Sequence, residues 1–474
     1  MTNTPLETNP GRWSDLVVGN HSPVPLLDGS KGRCINLDCA STAPPLTRVV
    51  EAVAEILPEY GSVGRGGGWK SDLCTAAYEE ARKLASRFVG ADREGRVAIF
   101  VKQATDAINL VACRLPLTPG DVVVCTLAEH HANLLPWRRA TEESGAELVV
   151  VDVNTKSGDV LTTDLERILE EHGGHVKLVA MTGASNVTGC VPDVHAVAER
   201  VHAHHAMLLV DGAQLVPHRA VDVRAVDDPT RIDFLAFSGH KMYAPYGSGL
   251  LVANRCCIED CRPSQVGGGA ASWVSTDGVT WRDLPYLQET GSPNLLGVVA
   301  LAAAAEQLME IGMDRIRDHE VALTEYALDK LGSIPGLILY GPSQIGPDDR
   351  LGVFTFNLDG IHHRLVAARL SYEYGIATRS GAFCAHPYVT ALVTARGRAP
   401  SELERPGAVR ASLGVFSTAE DIDALVAALR AIGSSRASND YTFDKASGTY
   451  GPQGWPYDLS HDFPPRWEHR TVDG

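Results

Sequence analysis

The stretch Phe234-Leu235-Ala236-Phe237-Ser238-Gly239-His240-Lys241-Met242-Tyr243-Ala244-Pro245-Tyr246-Gly247 decides how this 474-residue chain folds. It opens as a short apolar run, breaks on Ser-Gly-His-Lys, and is followed by Gly249-Leu250-Leu251-Val252-Ala253. That pattern reads as a buried strand, a polar loop with one lysine, and a second buried strand. A lysine between two core strands is costly unless its amine is neutralised, paired or used covalently. Just upstream, Met207-Leu208-Leu209-Val210 ends in Asp211-Gly212-Ala213-Gln214. Further apolar runs lie at 97–101, 122–125, 148–151 and 178–181. Seven short runs separated mostly by helix-length segments predict an α/β protein with a largely parallel sheet covered on both faces. Its chemistry should gather on the loops at the carboxyl ends of the strands.

The length suggests roughly two to three domains. We expect an N-terminal arm at 1–33, a large domain at 34–300, a smaller α+β C-terminal domain at 301–433 and a tail at 434–474. Residues 294–333 read as two helices, the first rich in alanine, and the tail shows no clear period. A composition of 44% hydrophobic and 21% charged residues is that of an ordinary soluble globular protein. The net charge of -16 argues against nucleic acid as a partner. The polar first fifteen residues do not read as a secretory signal, and no apolar run reaches membrane-spanning length. Ten cysteines follow no disulfide framework. Cys256-Cys257-x-x-x-Cys261 lacks a second ligand pair, so no metal is expected. Reduced thiols and a cytoplasmic location are the expectation.

An acid ending one strand and a lysine just past another suit pyridoxal phosphate (PLP). Its aldehyde bonds to a lysine amine and its ring nitrogen needs an acidic partner. Asp211-x-x-Gln214 followed by Ser238-Gly239-His240-Lys241 resembles the class V aminotransferase family, the fold-type I PLP-dependent transferases. Within it the likeness is to the group II cysteine desulfurases and selenocysteine lyases, over residues 34–431. The resemblance implies that Lys241 is the PLP lysine, that Asp211 pairs with the ring nitrogen, and that Gln214 and Asn186 reach the ring hydroxyl. In Glu129-His130-His131-Ala132-Asn133, His130 would stack on the ring and exchange protons with substrate. Lys102-Gln103-Ala104-Thr105 follows a strand and opens a helix, a place where backbone N–H groups bind phosphate. The family usually has Arg-Gly-Thr-Thr-Glu there, so Thr105 keeps one hydroxyl while Ala104 loses the other. Ser238 and His240 would complete the cup. Ser292, in Glu289-Thr290-Gly291-Ser292-Pro293-Asn294, would bind phosphate across the interface of a homodimer.

The segment Thr378-Arg379-Ser380-Gly381-Ala382-Phe383-Cys384-Ala385-His386-Pro387 bears on the reaction. It resembles the part of a desulfurase that joins a carboxylate-binding arginine, here Arg379, to a persulfide-forming cysteine, here Cys384. Two departures stand out: Ala382 and Phe383 precede the cysteine where the family has a histidine, and Gly64-Arg65-Gly66-Gly67-Gly68 lacks the family loop's histidines. The resemblance implies a cysteine desulfurase that moves sulfur from L-cysteine onto Cys384, releases alanine and serves a sulfur-acceptor protein. Other readings stay open: a carbon–sulfur β-lyase acting on a cysteine conjugate, another class V aminotransferase-like activity, and an inactive relative serving as a binding subunit.

Overall fold

A computed structural model describes residues 10–64, 66–158, 162–343, 346, 349–397, 406–435 and 440–457. Each of the seven apolar runs forms a strand of one sheet. In chain order these are β1 (Arg96–Val101), β2 (Val122–Thr126), β3 (Glu147–Val151), β4 (Val176–Thr182), β5 (Met207–Asp211), β6 (Phe234–Ser238) and β7 (Gly249–Asn254). Their spatial order is β1-β7-β6-β5-β4-β2-β3. The pairs β2–β3, β2–β4, β4–β5 and β5–β6 are parallel. Helices link β2 to β3, β3 to β4 and β4 to β5, whereas residues 212–233 connect β5 to β6 without one. Only β7 is antiparallel, to both its neighbours. The loop of residues 239–248 that leads into it is too short to hold the crossover that a parallel return needs. This loop carries Lys241, so the one antiparallel strand follows directly from the stretch that places the lysine.

The central strands are buried on both faces, which is why their sequences run apolar without alternation. The helix Leu295–Ile311 covers one face and packs on the helices Thr47–Ile56 and Trp69–Phe88. Its alanines at 300 and 302–305 are buried and let the backbones approach closely. Among the described residues no single helix is long and apolar enough to cross a membrane.

A second, antiparallel sheet has the spatial order β8 (Leu337–Tyr340), β9 (Val353–Leu358), β11 (Ala408–Ser412), β10 (Arg379–Gly381). The helices Met313–Gly332 and Ala419–Ser434 pack against each other beside it. The segment 35–43 straps the two sheets together. Ile35–Asn36 pairs with Ile376–Ala377, and Ser412 N donates to Leu37 O at 2.7 Å. Toward the large sheet, Ala43 N donates to His240 O at 2.9 Å.

The short strands β8 and β10 carry no periodic signal in the sequence, and neither does the hairpin Tyr441–Asp444/Thr449–Pro452 within the C-terminal tail. Three or four residues are too few to show alternation, and tertiary pairing defines them instead. The hairpin closes through Gly448 at φ +68°, a left-handed turn position.

Candidate active site

The carboxyl ends of β4, β5 and β6 converge on a cavity of about 280 Å³. Lys241, Asp211, Gln214, Asn186, His130, Ala104, Thr105, Ser238, His240, Arg379 and Cys384 all line it. Residues separated by as many as 280 positions are therefore neighbours, and one proposed residue stands apart. Ser292 lines an adjoining cavity of about 650 Å³, with Lys102 and Asn294.

Lys241 sits in a single helical turn after β6, and Asp211 ends β5. Burial pushes the Lys241 amine down to about 8, against the upward pull of Asp211. Burial raises the Asp211 carboxyl, opposed by the charge of Lys241 and a 3.0 Å hydrogen bond from Ala213 N. Each group thus meets the other's charge in a site that penalises both.

One end of the cavity lies where the helix Ala104–Arg114 begins. Ala104 N already donates to Ser238 Oγ at 2.8 Å, so this N–H braces the cup while Thr105 lines it. A side chain at Gly249 would put a Cβ 2.8 Å from Gln103 Cα, so the close approach of helix start and sheet requires glycine there. His240 Nδ1 lies 3.3 Å from Thr42 Oγ1, and burial pushes its imidazole down to about 4.

His130 is held neutral. Burial first, then the neighbouring Lys241, His131 and Arg410, push it down to about 3. Its Nδ1 accepts from Ala132 N at 3.0 Å, which leaves the proton on Nε2. The loop is anchored by Glu129, which accepts from Thr126 Oγ1 (2.5 Å), Asn133 Nδ2 (2.6 Å) and Thr182 N (2.8 Å). Burial outweighs these bonds and lifts the Glu129 carboxyl to about 8. Gln214 Nε2 donates to Ala40 O at 2.7 Å. Asn186 Nδ2 donates to Phe383 O at 2.9 Å and so also pins the loop that carries Cys384.

That loop is strained. Phe383 and Cys384 are consecutive non-glycine residues in the left-handed region, at φ +52° and +54°. Such a conformation persists only where surrounding contacts enforce it, and it concentrates at functional sites. Here Phe383 O is held by Asn186, and Cys384 O accepts from His131 N at 2.7 Å. The Cys384 side chain is exposed and lines the same cavity as Lys241 and Arg410.

Arg410 is the residue that the sequence reading missed. It lies on β11 directly across the ladder from Arg379 on β10, and both line the cavity. Like charges facing across a ladder destabilise it unless an anion lies between or beside them. The signal was present in Ala408-Val409-Arg410-Ala411-Ser412, a charged side chain inside a strand that is otherwise small and apolar.

The residues fit pyridoxal phosphate. Asp211 is a buried carboxylate with one hydrogen bond among the described residues, facing an amine that burial has made readily deprotonated. The chain belongs to the class-V aminotransferase family, whose profile matches residues 35–425. It is 38% identical over 400 residues to a probable cysteine desulfurase of Halalkalibacterium halodurans, covering 83% of this chain and 92% of that protein. It is likewise 38% identical over 404 residues to a cysteine desulfurase of Salmonella typhimurium, covering 84% and 92% of the two chains. Among solved structures, the apo cysteine desulfurase from Thermococcus onnurineus NA1 superposes with a TM-score of 0.76 at 31% identity, covering 85% of this chain and 95% of that one. The cysteine desulfurase CsdA from Escherichia coli gives 0.74 at 31% identity, covering 89% and 97%.

Proposed function

We propose that this protein is a PLP-dependent cysteine desulfurase: L-cysteine and the Cys384 thiol go to L-alanine and a Cys384 persulfide. The observation that carries the reading is the placement of Cys384, on a strained loop, in the same cavity as Lys241, Asp211 and the Arg379–Arg410 pair. Bound there, pyridoxal phosphate supplies the aldehyde and the electron-accepting ring that make bonds at the substrate's Cα and Cβ breakable. Lys241 would anchor it, and Asp211 would keep its ring nitrogen protonated. Thr105, Ser238 and His240 would hold its phosphate, and His130 would cover the ring, offering its Nε2–H as a donor.

Arg379 and Arg410 orient the substrate carboxylate, and the Lys241 amine, neutral near its lowered pKa, moves the Cα proton. The Cys384 thiolate, facing the charges of Lys241 and Arg410, attacks the substrate sulfur. A sulfur–sulfur bond forms as the carbon–sulfur bond breaks, and the electron pair left on Cβ takes a proton to give alanine. Cys384 also lines an outer groove of about 400 Å³ with His131, Leu135 and Arg139, through which a sulfur-acceptor protein could reach it. The separate position of Ser292 supports a homodimer in which this residue serves the partner's site. A reducing, cytoplasmic setting suits ten cysteines that form no disulfide with one another.

The test is a product assay with free L-cysteine. Alanine in step with sulfide or persulfide supports the proposal, whereas pyruvate and ammonia would replace it with β-elimination. Uptake of the cofactor gives a pH-dependent check. Only the neutral amine attacks the aldehyde, so the rate at which apoprotein captures pyridoxal phosphate should rise with pH through a midpoint of about 8. A midpoint near the ordinary lysine value of 10.5 would remove Lys241 from the role.

A further inference from the structure

We infer that Asp38, on the strap between the two sheets, is a positioning residue: together with Ser41 it holds the Arg410 guanidinium in the orientation that receives a substrate carboxylate. This rests on the reading that the cavity takes an α-amino acid. Arg410 Nη2 donates to Asp38 Oδ1 at 3.1 Å and to Ser41 Oγ at 2.7 Å, and Ser41 Oγ donates to the same Asp38 oxygen at 2.7 Å. On the other side Nη1 donates to Asn186 O at 3.0 Å, and the guanidinium lies 5.0 Å from the Phe383 ring centroid. The strap is itself fixed: Asp38 N donates to Asn36 Oδ1 at 3.0 Å, and Ala40 N to Ser412 Oγ at 2.9 Å.

Position separates the roles. Arg410 and Ser41 line the cavity, whereas Asp38 does not. Asp38 therefore acts from behind the guanidinium and leaves its cavity side to a ligand. The Arg410 side chain is 3% exposed, so without Asp38 its charge has no compensating carboxylate among the described residues and must turn toward water or toward the cavity. Arg379, opposite it, lies exposed, and the described residues supply no carboxylate for it. One carboxylate for two cations leaves a net positive charge for a carboxylate-bearing substrate to neutralise. Asp38 thus sets the geometry of the site without cancelling its charge.

The test uses the holoenzyme with Asp38→Asn. The KM for L-cysteine should rise about tenfold or more while kcat changes less than about threefold, the pattern of lost binding that is shared by ground and transition states. Binding of L-alanine, read from the cofactor absorbance, should weaken in parallel, while binding of ethylamine, the same amine without a carboxylate, stays unchanged. Native affinity for L-alanine in the variant overturns the inference. So does an equal loss for both ligands, because a general collapse of the site would weaken both. If Asp38→Asn does not fold, Ser41→Ala removes one acceptor of Nη2 without a charge change and should show the same contrast at about threefold. A native enzyme that makes no alanine from cysteine would sink the desulfurase reading instead. The contrast between alanine and ethylamine would still decide the role of Asp38.

Discussion

Lys241→Ala should lower the rate of alanine formation from L-cysteine by about 10⁴-fold or more, while the protein still folds. Two losses combine. On the proposed roles, the variant would lose both the covalent anchor for the cofactor and the base that moves the Cα proton. Stability should change little, because the amine is itself disfavoured by burial and its removal relieves that cost. Asp211 responds in the opposite direction. The lysine charge now holds its buried carboxyl down, so in the variant that carboxyl should rise further and the ring nitrogen lose an ionised partner. Borohydride reduction and peptide mapping of the native enzyme should give a pyridoxyl group on Lys241 and on no other lysine. Retention of more than about a hundredth of native turnover in the variant would remove Lys241 from the mechanism.

The parts of this site that were legible in the sequence are those whose chemistry clashes with their surroundings. Lys241 and Asp211 punctuate runs of apolar residues, and a charge at the end of a buried strand needs a reason that can be read without coordinates. The same logic reaches Arg410, which interrupts β11, yet one charged residue in a five-residue strand gives a weak signal until its neighbour across the ladder is known to be Arg379. Asp38 was less accessible still. Its importance comes from a contact between residues 372 positions apart, made by a strap whose two-residue strand, Ile35–Asn36, has no periodic signature. The large sheet showed because parallel strands are buried on both faces and so read as continuous apolar runs. The small sheet was harder to read, since its strands are short and defined by pairing. The twist at Phe383-Cys384 was invisible, because no residue there favours a positive φ. It is imposed by Asn186 and His131 from other loops.

That imposed twist makes Cys384 the sharpest divide between the two chemistries open to this cavity. Cys384→Ser should leave pyridoxal phosphate bound and its absorbance unchanged, because the contacts expected to hold the cofactor come from Lys241, Asp211, Ser238 and the helix start at Ala104. Alanine formation from L-cysteine should nevertheless fall by about 10³-fold or more, since a serine hydroxyl near neutral pH is too weak a nucleophile to take up sulfur. Mass spectrometry of the native enzyme after one turnover should find one added sulfur on the Cys384 peptide, and of the variant none. A β-lyase would behave otherwise. It needs no thiol, so its pyruvate yield from a cysteine conjugate would survive the substitution. The strain argues for the first outcome. Holding two non-glycine residues at positive φ costs of order 1–3 kcal/mol each, and elimination, in which Cys384 takes no part, gives no return on that cost. Sulfur transfer does, because the thiol must reach into the cavity to collect sulfur and face the outer groove to pass it on. A serine variant that still made alanine at the native rate would mean that the twisted loop serves packing alone.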